Sequence, residues 1–98
     1  MLNLKRKPTH PGEILNEEFL KPLEISQTEL AEALRTTFRT INELVNGKRN
    51  LSSEMAVKLA KYFGTSAELW FNLQNQYDIY VVSKSLNRKL NQIKPHIR

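Results

Sequence analysis

The sequence predicts an all-α fold of five helices, and three observations carry that prediction. Apolar residues recur at helical spacing, as in Leu30, Ala31 and Leu34, or Ile41, Leu44 and Val45. Helix-start signals recur as well: Ser26 with Glu29 is a capping box, and Thr65 with Glu68 is a second. No alternating apolar stretch is long enough for a sheet, and the short candidate at residues 79–82 reads as helix. A chain of 98 residues makes one domain, here residues 1–82, followed by a basic extension at residues 83–98.

Each helix has its own warrant. Pro8 keeps residues 1–9 irregular. Helix 1 starts at Pro11, where the missing N–H costs nothing. His10 before it reads as a helix-start residue rather than a base. Glu13 suits the first turn. Ile14, Leu15 and Phe19 are core candidates, and Pro22 predicts an end near Leu20. Leu23 and Ile25 bridge to helix 2, which Ser26 caps. Helix 3 has Thr37 as its N-cap and stops at Asn46-Gly47, two residues that tolerate a left-handed cap. Ala31 lies where helices 2 and 3 cross. Ser52 or Ser53 starts helix 4, with a stripe of Met55, Ala56, Leu59, Ala60, Tyr62 and Phe63. Glu54 and Lys58 pair on its exposed face, and Gly64 ends it. Helix 5 starts at Ser66 or Ala67 and carries Leu69, Trp70, Phe71, Leu73, Tyr77, Ile79, Tyr80 and Val81. Beyond Ser83 the sequence reads as a fraying helix followed by a disordered end, with Pro95 against regular helix.

Helices 2 and 3, at residues 27–46, have the spacing of a helix-turn-helix, whose second helix enters the DNA major groove. With Ile41, Leu44 and Val45 facing inward, Arg39, Asn42, Glu43 and Asn46 point outward. Arg39 can donate to guanine O6 and N7, Glu43 can accept from cytosine N4, and Thr40 can bond or touch a thymine methyl. Phe38 can press on thymine methyls; its plainer role is packing on the domain's own edge. The plain reading of Arg39 and Glu43 is an i, i+4 ion pair on a solvated face. Gln27, Thr37, Lys48 and Arg49 are phosphate candidates, which supply affinity and register without sequence information.

Helix 5 has more apolar surface than one stripe needs. Leu69, Trp70, Leu73 and Tyr77 either cover the core or make a two-fold dimer contact, which would place two recognition helices about 34 Å apart. Residues 1–82 hold ten basic and ten acidic side chains, so the net charge of +5 comes from Lys84, Arg88, Lys89, Lys94 and Arg98. Within the neutral part, Lys5, Arg6 and Lys7 cluster, Arg35 and Arg39 flank the turn, and Lys48 and Arg49 follow helix 3. Such basic groups suit a polyanionic partner. The extension can graze DNA phosphates, contact a protein partner or only raise solubility, and weak DNA contact is favoured.

Several classes are excluded or disfavoured. With no cysteine there is no disulfide, thiolate metal site or cysteine nucleophile, and a reducing, cytoplasmic setting is expected. MLNLKRKP has no following apolar run, against a signal peptide, and no run approaches the roughly 20 residues of a membrane span. Neither His10 nor His96 has a carboxylate or nucleophile partner nearby in sequence. No phosphate loop, metal-ligand pair or G-x-S-x-G occurs, so neither catalysis nor a cofactor or metal is expected.

Residues 27–46 resemble the helix-turn-helix of the Cro/C1-type repressors, which implies a lambda-repressor-like DNA-binding domain. HPGEIL at 10–15, SQTELAEAL at 26–34, INELVNGKR at 41–49 and KLAKYFGTSAELWFNLQNQYD at 58–78 together resemble the HigA-type, or VapI-like, antitoxins. The resemblance covers residues 7–80. It implies a dimer that binds a palindromic operator to repress its own operon, and that neutralises a RelE-like ribonuclease toxin. The turn departs from the family pattern, holding Arg35 and Thr36 where Gly and an aliphatic residue are common. Positive φ at a non-glycine residue is uncommon. Three rivals stay open: a repressor without a toxin, a protein-interaction module using helix 5 and the extension, and a small nucleic-acid enzyme.

Overall fold

The computed structural model describes residues 7–97, and among them every regular element is helical. Lys5 and Arg6 of the basic cluster, and Arg98 of the extension, lie outside the described residues. Helix α1 covers residues 11–23 in three consecutive segments: Pro11–Ile14 is α-helical, Leu15–Leu20 π-helical and Lys21–Leu23 α-helical again. Then follow α2 (Gln27–Ala33), α3 (Phe38–Val45), α4 (Ser53–Phe63), α5 (Ala67–Ser85) and α6 (Asn87–Leu90). The five expected helices are thus present, with a short sixth inside the basic extension.

Pro22 does not end α1 at Leu20, contrary to the expectation. A proline lacks a donor, and its ring collides with the carbonyl four residues back. The π-helical turns ahead of it widen the helix and shift the bonding by one residue, with the Lys21 N–H donating to the Asn16 carbonyl. The ring then fits and the helix continues. It stops at Glu24, which takes a left-handed φ of 56°.

The caps follow the sequence at three starts and depart from it in detail at one. Ser26 Oγ accepts from the Glu29 N–H at 3.0 Å while Glu29 Oε1 accepts from the Ser26 N–H at 3.1 Å, a complete capping box. Thr37 Oγ1 accepts from the Thr40 N–H at 3.1 Å, and Ser52 Oγ from the Met55 N–H at 3.1 Å. At α5 the cap is Ser66, accepting from the Leu69 N–H, and not Thr65 with Glu68. Thr65 Oγ1 is used otherwise, accepting from the Trp70 indole Nε1 at 2.9 Å.

Trp70 sits at the centre of the core with 0 % exposure, among Leu15, Leu20, Leu30, Ile41, Leu44 and Leu59. Phe19 packs 5.1 Å from it and 4.8 Å from Phe63, ring centre to ring centre. The assignment of Trp70 to a dimer contact is therefore corrected: a ring with no exposed surface has nothing left for a partner, and filling the centre of a small core uses all of it. Tyr62 leaves the expected α4 stripe and is exposed, while Met55, Ala56 and Leu59 are buried. Lys58 and Glu54 pair at 3.0 Å as expected. Ala31 is buried on α2, the helix that packs against α3, where a larger side chain would overpack the core. Past Tyr77, α5 outruns the core: Ile79, Val81 and Val82 are exposed, and the molecule measures 53 × 24 × 21 Å. The helix crosses residues 82–83 unbroken and ends at Ser85.

Two local features carry strain or charge sensitivity. At the end of α2 the Thr36 N–H bonds the Ala31 carbonyl and the Arg35 N–H bonds the Glu32 carbonyl, the paired bonds of a Schellman cap. That cap needs a left-handed residue, and Arg35 supplies it at φ 56°. At the start of α1, His10 Nδ1 accepts from the Gly12 N–H at 2.9 Å. The proton of the neutral ring is then on Nε2, which is buried without a hydrogen-bond partner among the described residues. Burial pushes the His10 pKa below its ordinary 6.5; the nearby Arg49 backbone and the carboxylates of Asp78 and Glu13 oppose the shift without reversing it.

Arg35→Gly should remove the left-handed strain and raise stability by about 0.5–1 kcal/mol, a gain of roughly 2–8 °C in melting temperature. A lower melting temperature would show that the arginine side chain contributes more than its backbone strain costs. For His10, the unfolded chain binds a proton more readily than the folded one. Its contribution is present above about pH 6.5 and lost as pH falls through the lower folded pKa. Thermal melts between pH 7.5 and 5.5 should show a fall in stability that is shallower in His10→Asn, which keeps a cap without the titration. Equal slopes would remove His10 as the source.

Candidate DNA-binding surface

The position of α3 is set from its C-terminal end. α1 approaches so closely there that a Cβ on Gly12 would overlap the Leu44 carbonyl oxygen. Only glycine allows that approach. Gly47, at φ 73°, closes α3 with a Schellman cap: its N–H bonds the Leu44 carbonyl, and the Lys48 N–H bonds the Glu43 carbonyl at 2.8 Å. The His10 ring packs over Gly47 and meets Tyr77 edge-on at 4.8 Å. The loop that follows is tied to α5, where buried Gln74 accepts from the Leu51 N–H at 2.7 Å and donates to Asp78 Oδ1 at 2.8 Å.

With Ile41 and Leu44 locked into the core, the opposite face of α3 is presented to solvent. Phe38 is 51 % exposed at the helix start, which leaves half of its surface free. The Arg39 side chain is 84 % exposed. Asn42 is half-buried; its Nδ2 donates to Gln27 Oε1 at 3.1 Å, which joins the start of α2 to α3. Asn46 Nδ2 donates to Asn42 Oδ1 at 3.3 Å. Thr37 and Thr40 share a hydroxyl hydrogen bond at 2.9 Å. Lys48 and Arg49 are exposed in the loop beyond. The ten residues read from the sequence as a DNA surface therefore lie on α3, its flanks and the start of α2.

The plain reading of the Arg39–Glu43 pair also holds. Arg39 Nε donates to Glu43 Oε2 at 3.1 Å. Arg49 joins through Nε at 3.1 Å and Nη2 at 2.7 Å, both to Oε1. Arg49, then Arg39, hold the Glu43 carboxyl below its ordinary pKa. A cytosine amino group would have to share or displace one of these donors. Lys7 belongs elsewhere, its ammonium 5.4 Å from the Tyr77 ring centre. The expected interface residues Leu73 and Tyr77 also lean on the protomer itself, Leu73 on the core and Tyr77 on His10; Leu69 is exposed.

Sequence reasoning missed Gln74, Gly12 and the capping role of the His10 ring. The HPG run was their one signal, since a glycine after a helix-starting proline has no purpose in propensity alone. Gln74 gave no signal, because an amide on a mixed helix looks solvated.

The helix-turn-helix family matches residues 17–70. A Haemophilus influenzae protein named as an uncharacterized HTH-type transcriptional regulator is 43% identical over 94 residues, 94% of this chain and 88% of that protein. Antitoxin HigA-1 of Vibrio cholerae is 35% identical over 95 residues, 97% of this chain and 90% of the antitoxin. Among solved structures, Pseudomonas aeruginosa antitoxin HigA with the higBA promoter superposes with a TM-score of 0.89 at 39% identity, covering 93% of this chain and 100% of that one. A helix-turn-helix locked from behind by HPG and the loop after NGKR, in a chain so similar to these antitoxins, belongs to the Cro/C1-type helix-turn-helix family, among its HigA-type members.

Proposed function

We propose that this chain binds the promoter of its own operon as a dimer, represses it, and neutralises a RelE-like ribonuclease toxin. The family is one of DNA-binding antitoxins and transcriptional regulators, not enzymes. The observation that carries the DNA reading is the exposed polar face of α3, held rigid by a buried opposite face. A relative solved with its promoter supports the same use of the fold. Arg39 reads guanine through O6 and N7, while Phe38 and Thr40 meet thymine methyls. Gln27, Thr37 and Lys48 take phosphates and set the register.

The dimer contact falls on the distal half of α5 in this reading. Ile79, Val81 and Val82 are apolar, exposed and beyond the core, with Leu69 a further exposed candidate. Binding two half-sites would require the two α3 helices of such a dimer to lie one DNA turn apart, about 34 Å. The alternative reading, a regulator with no toxin, is favoured by the name of the Haemophilus relative.

Arg39→Ala should weaken promoter binding by about 1–3 kcal/mol and relax preference at one base pair per half-site. Lys48→Ala should weaken all duplexes alike and lower the salt slope by about 1 per contact. The product of the adjacent gene, co-expressed, should co-purify with wild type and Arg39→Ala equally. Promoter affinity and preference untouched by Arg39→Ala would refute the groove assignment, and failure to co-purify would leave the regulator without a toxin. Val82→Asp should halve the particle mass in sedimentation velocity while helix content persists. An unchanged dimer would place the contact elsewhere.

A further inference from the structure

We propose that Glu43 is a specificity-determining residue: its carboxylate occupies Arg49 in the place a phosphate would take, while buttressing Arg39 for base reading. The proposal rests on the DNA reading of α3 and adds a division of labour to it.

The two arginines meet the carboxylate differently. Arg39 is bound through Nε alone, at 3.1 Å to Oε2, and its Nη1 and Nη2 make no hydrogen bond among the described residues. Those two groups are a pair of donors that suits guanine O6 and N7. Arg39 can therefore read a base without leaving Glu43. Arg49 offers Nε and Nη2 together to one oxygen, at 3.1 and 2.7 Å. That same edge is the one a guanidinium turns towards phosphate. To take a phosphate through that edge, Arg49 must give up Glu43.

The arrangement is built rather than incidental. Glu43 is the most covered of the three side chains, 27 % exposed against 46 % for Arg49 and 84 % for Arg39, so the carboxylate lies beneath its partners. Arg49 arrives from a loop fixed at both ends, by the Gly47 cap and by the Leu51–Gln74 bond. Isolated exposed pairs contribute little to stability. The effect on DNA is larger in kind, because nonspecific binding consists almost wholly of phosphate contacts. A carboxylate that withholds one arginine from phosphate and supports another at a base edge penalises nonspecific complexes and spares the specific one.

Glu43→Gln tests this, since it keeps length and an acceptor oxygen but removes the charge. Wild type and variant are titrated with the promoter fragment upstream of the gene and with a random-sequence duplex of equal length, across a salt series. The variant should bind the random duplex several-fold more tightly. Its slope of log affinity against log salt should steepen by up to about 0.9 per protomer. Promoter affinity should change less, so the ratio of promoter to random binding falls. Random-duplex affinity and slope equal to wild type would overturn the proposal. So would a loss of promoter affinity confined to one G·C pair per half-site, which would make Glu43 a direct reader of cytosine. Wild type that does not distinguish promoter from random duplex would instead remove the DNA reading itself.

Discussion

The close approach of α1 to the end of α3 is the constraint on which the rest of the structure depends. At Gly12 there is no space for even a methyl group against the Leu44 carbonyl. That contact fixes how far α3 lies from the body of the domain. Pro11 sets the first turn, and the His10 ring caps it close to Gly47. The Tyr77 ring closes the other side of His10, so α5 joins the same contact. A helix that reads base edges must be positioned within fractions of an ångström, and packing against bare backbone gives less freedom than packing through flexible side chains.

The loop after α3 is held with similar economy. A buried glutamine is unfavourable unless both ends of its amide are bonded. Gln74 meets that condition through the Leu51 N–H and Asp78, and so holds the segment that carries Lys48 and Arg49 against α5. The phosphate candidates thus hang from a rigid support, although each is exposed. The α2–α3 turn follows a different solution. The Schellman bonds there demand a left-handed residue, and the chain uses arginine, accepting backbone strain at a position where glycine is free of it.

Charge on the candidate surface is arranged in the same spirit. A face of bare arginines would attract any duplex, since phosphates are the same in every sequence. Here one carboxylate sits between two guanidinium groups, and the free surface is an ion-paired network rather than an open positive patch. The basic extension at residues 83–98 is different: Lys84 reaches over the Tyr80 ring at 5.6 Å, and Arg88, Lys89 and Lys94 are exposed with no acid among the residues of that segment. The net positive charge and the ion-paired face are therefore carried by separate parts of the chain.

Local signals determined the helices. Ser26 with Glu29, Thr37, Ser52, Gly47 and Gly64 each act through bonds to residues three to five positions away, so their meaning is complete in the sequence. Helical spacing likewise separated Ile41 and Leu44 from Arg39 and Glu43, and thereby showed which face of α3 is free. Four things were decided only by the folded structure. Pro22 failed to stop α1 because the π-helical turns before it relieved a clash that sequence reading treats as final. Trp70, an aromatic on an apolar-rich helix, went to the centre of the core rather than to an interface, because only the packing of α1 and α4 around it defines which side of α5 is inside. Glu43 acquired a second arginine from a loop, and Gln74 a backbone partner 23 residues away. Contacts of that kind depend on where the folded chain returns, and no periodicity within a single helix encodes it.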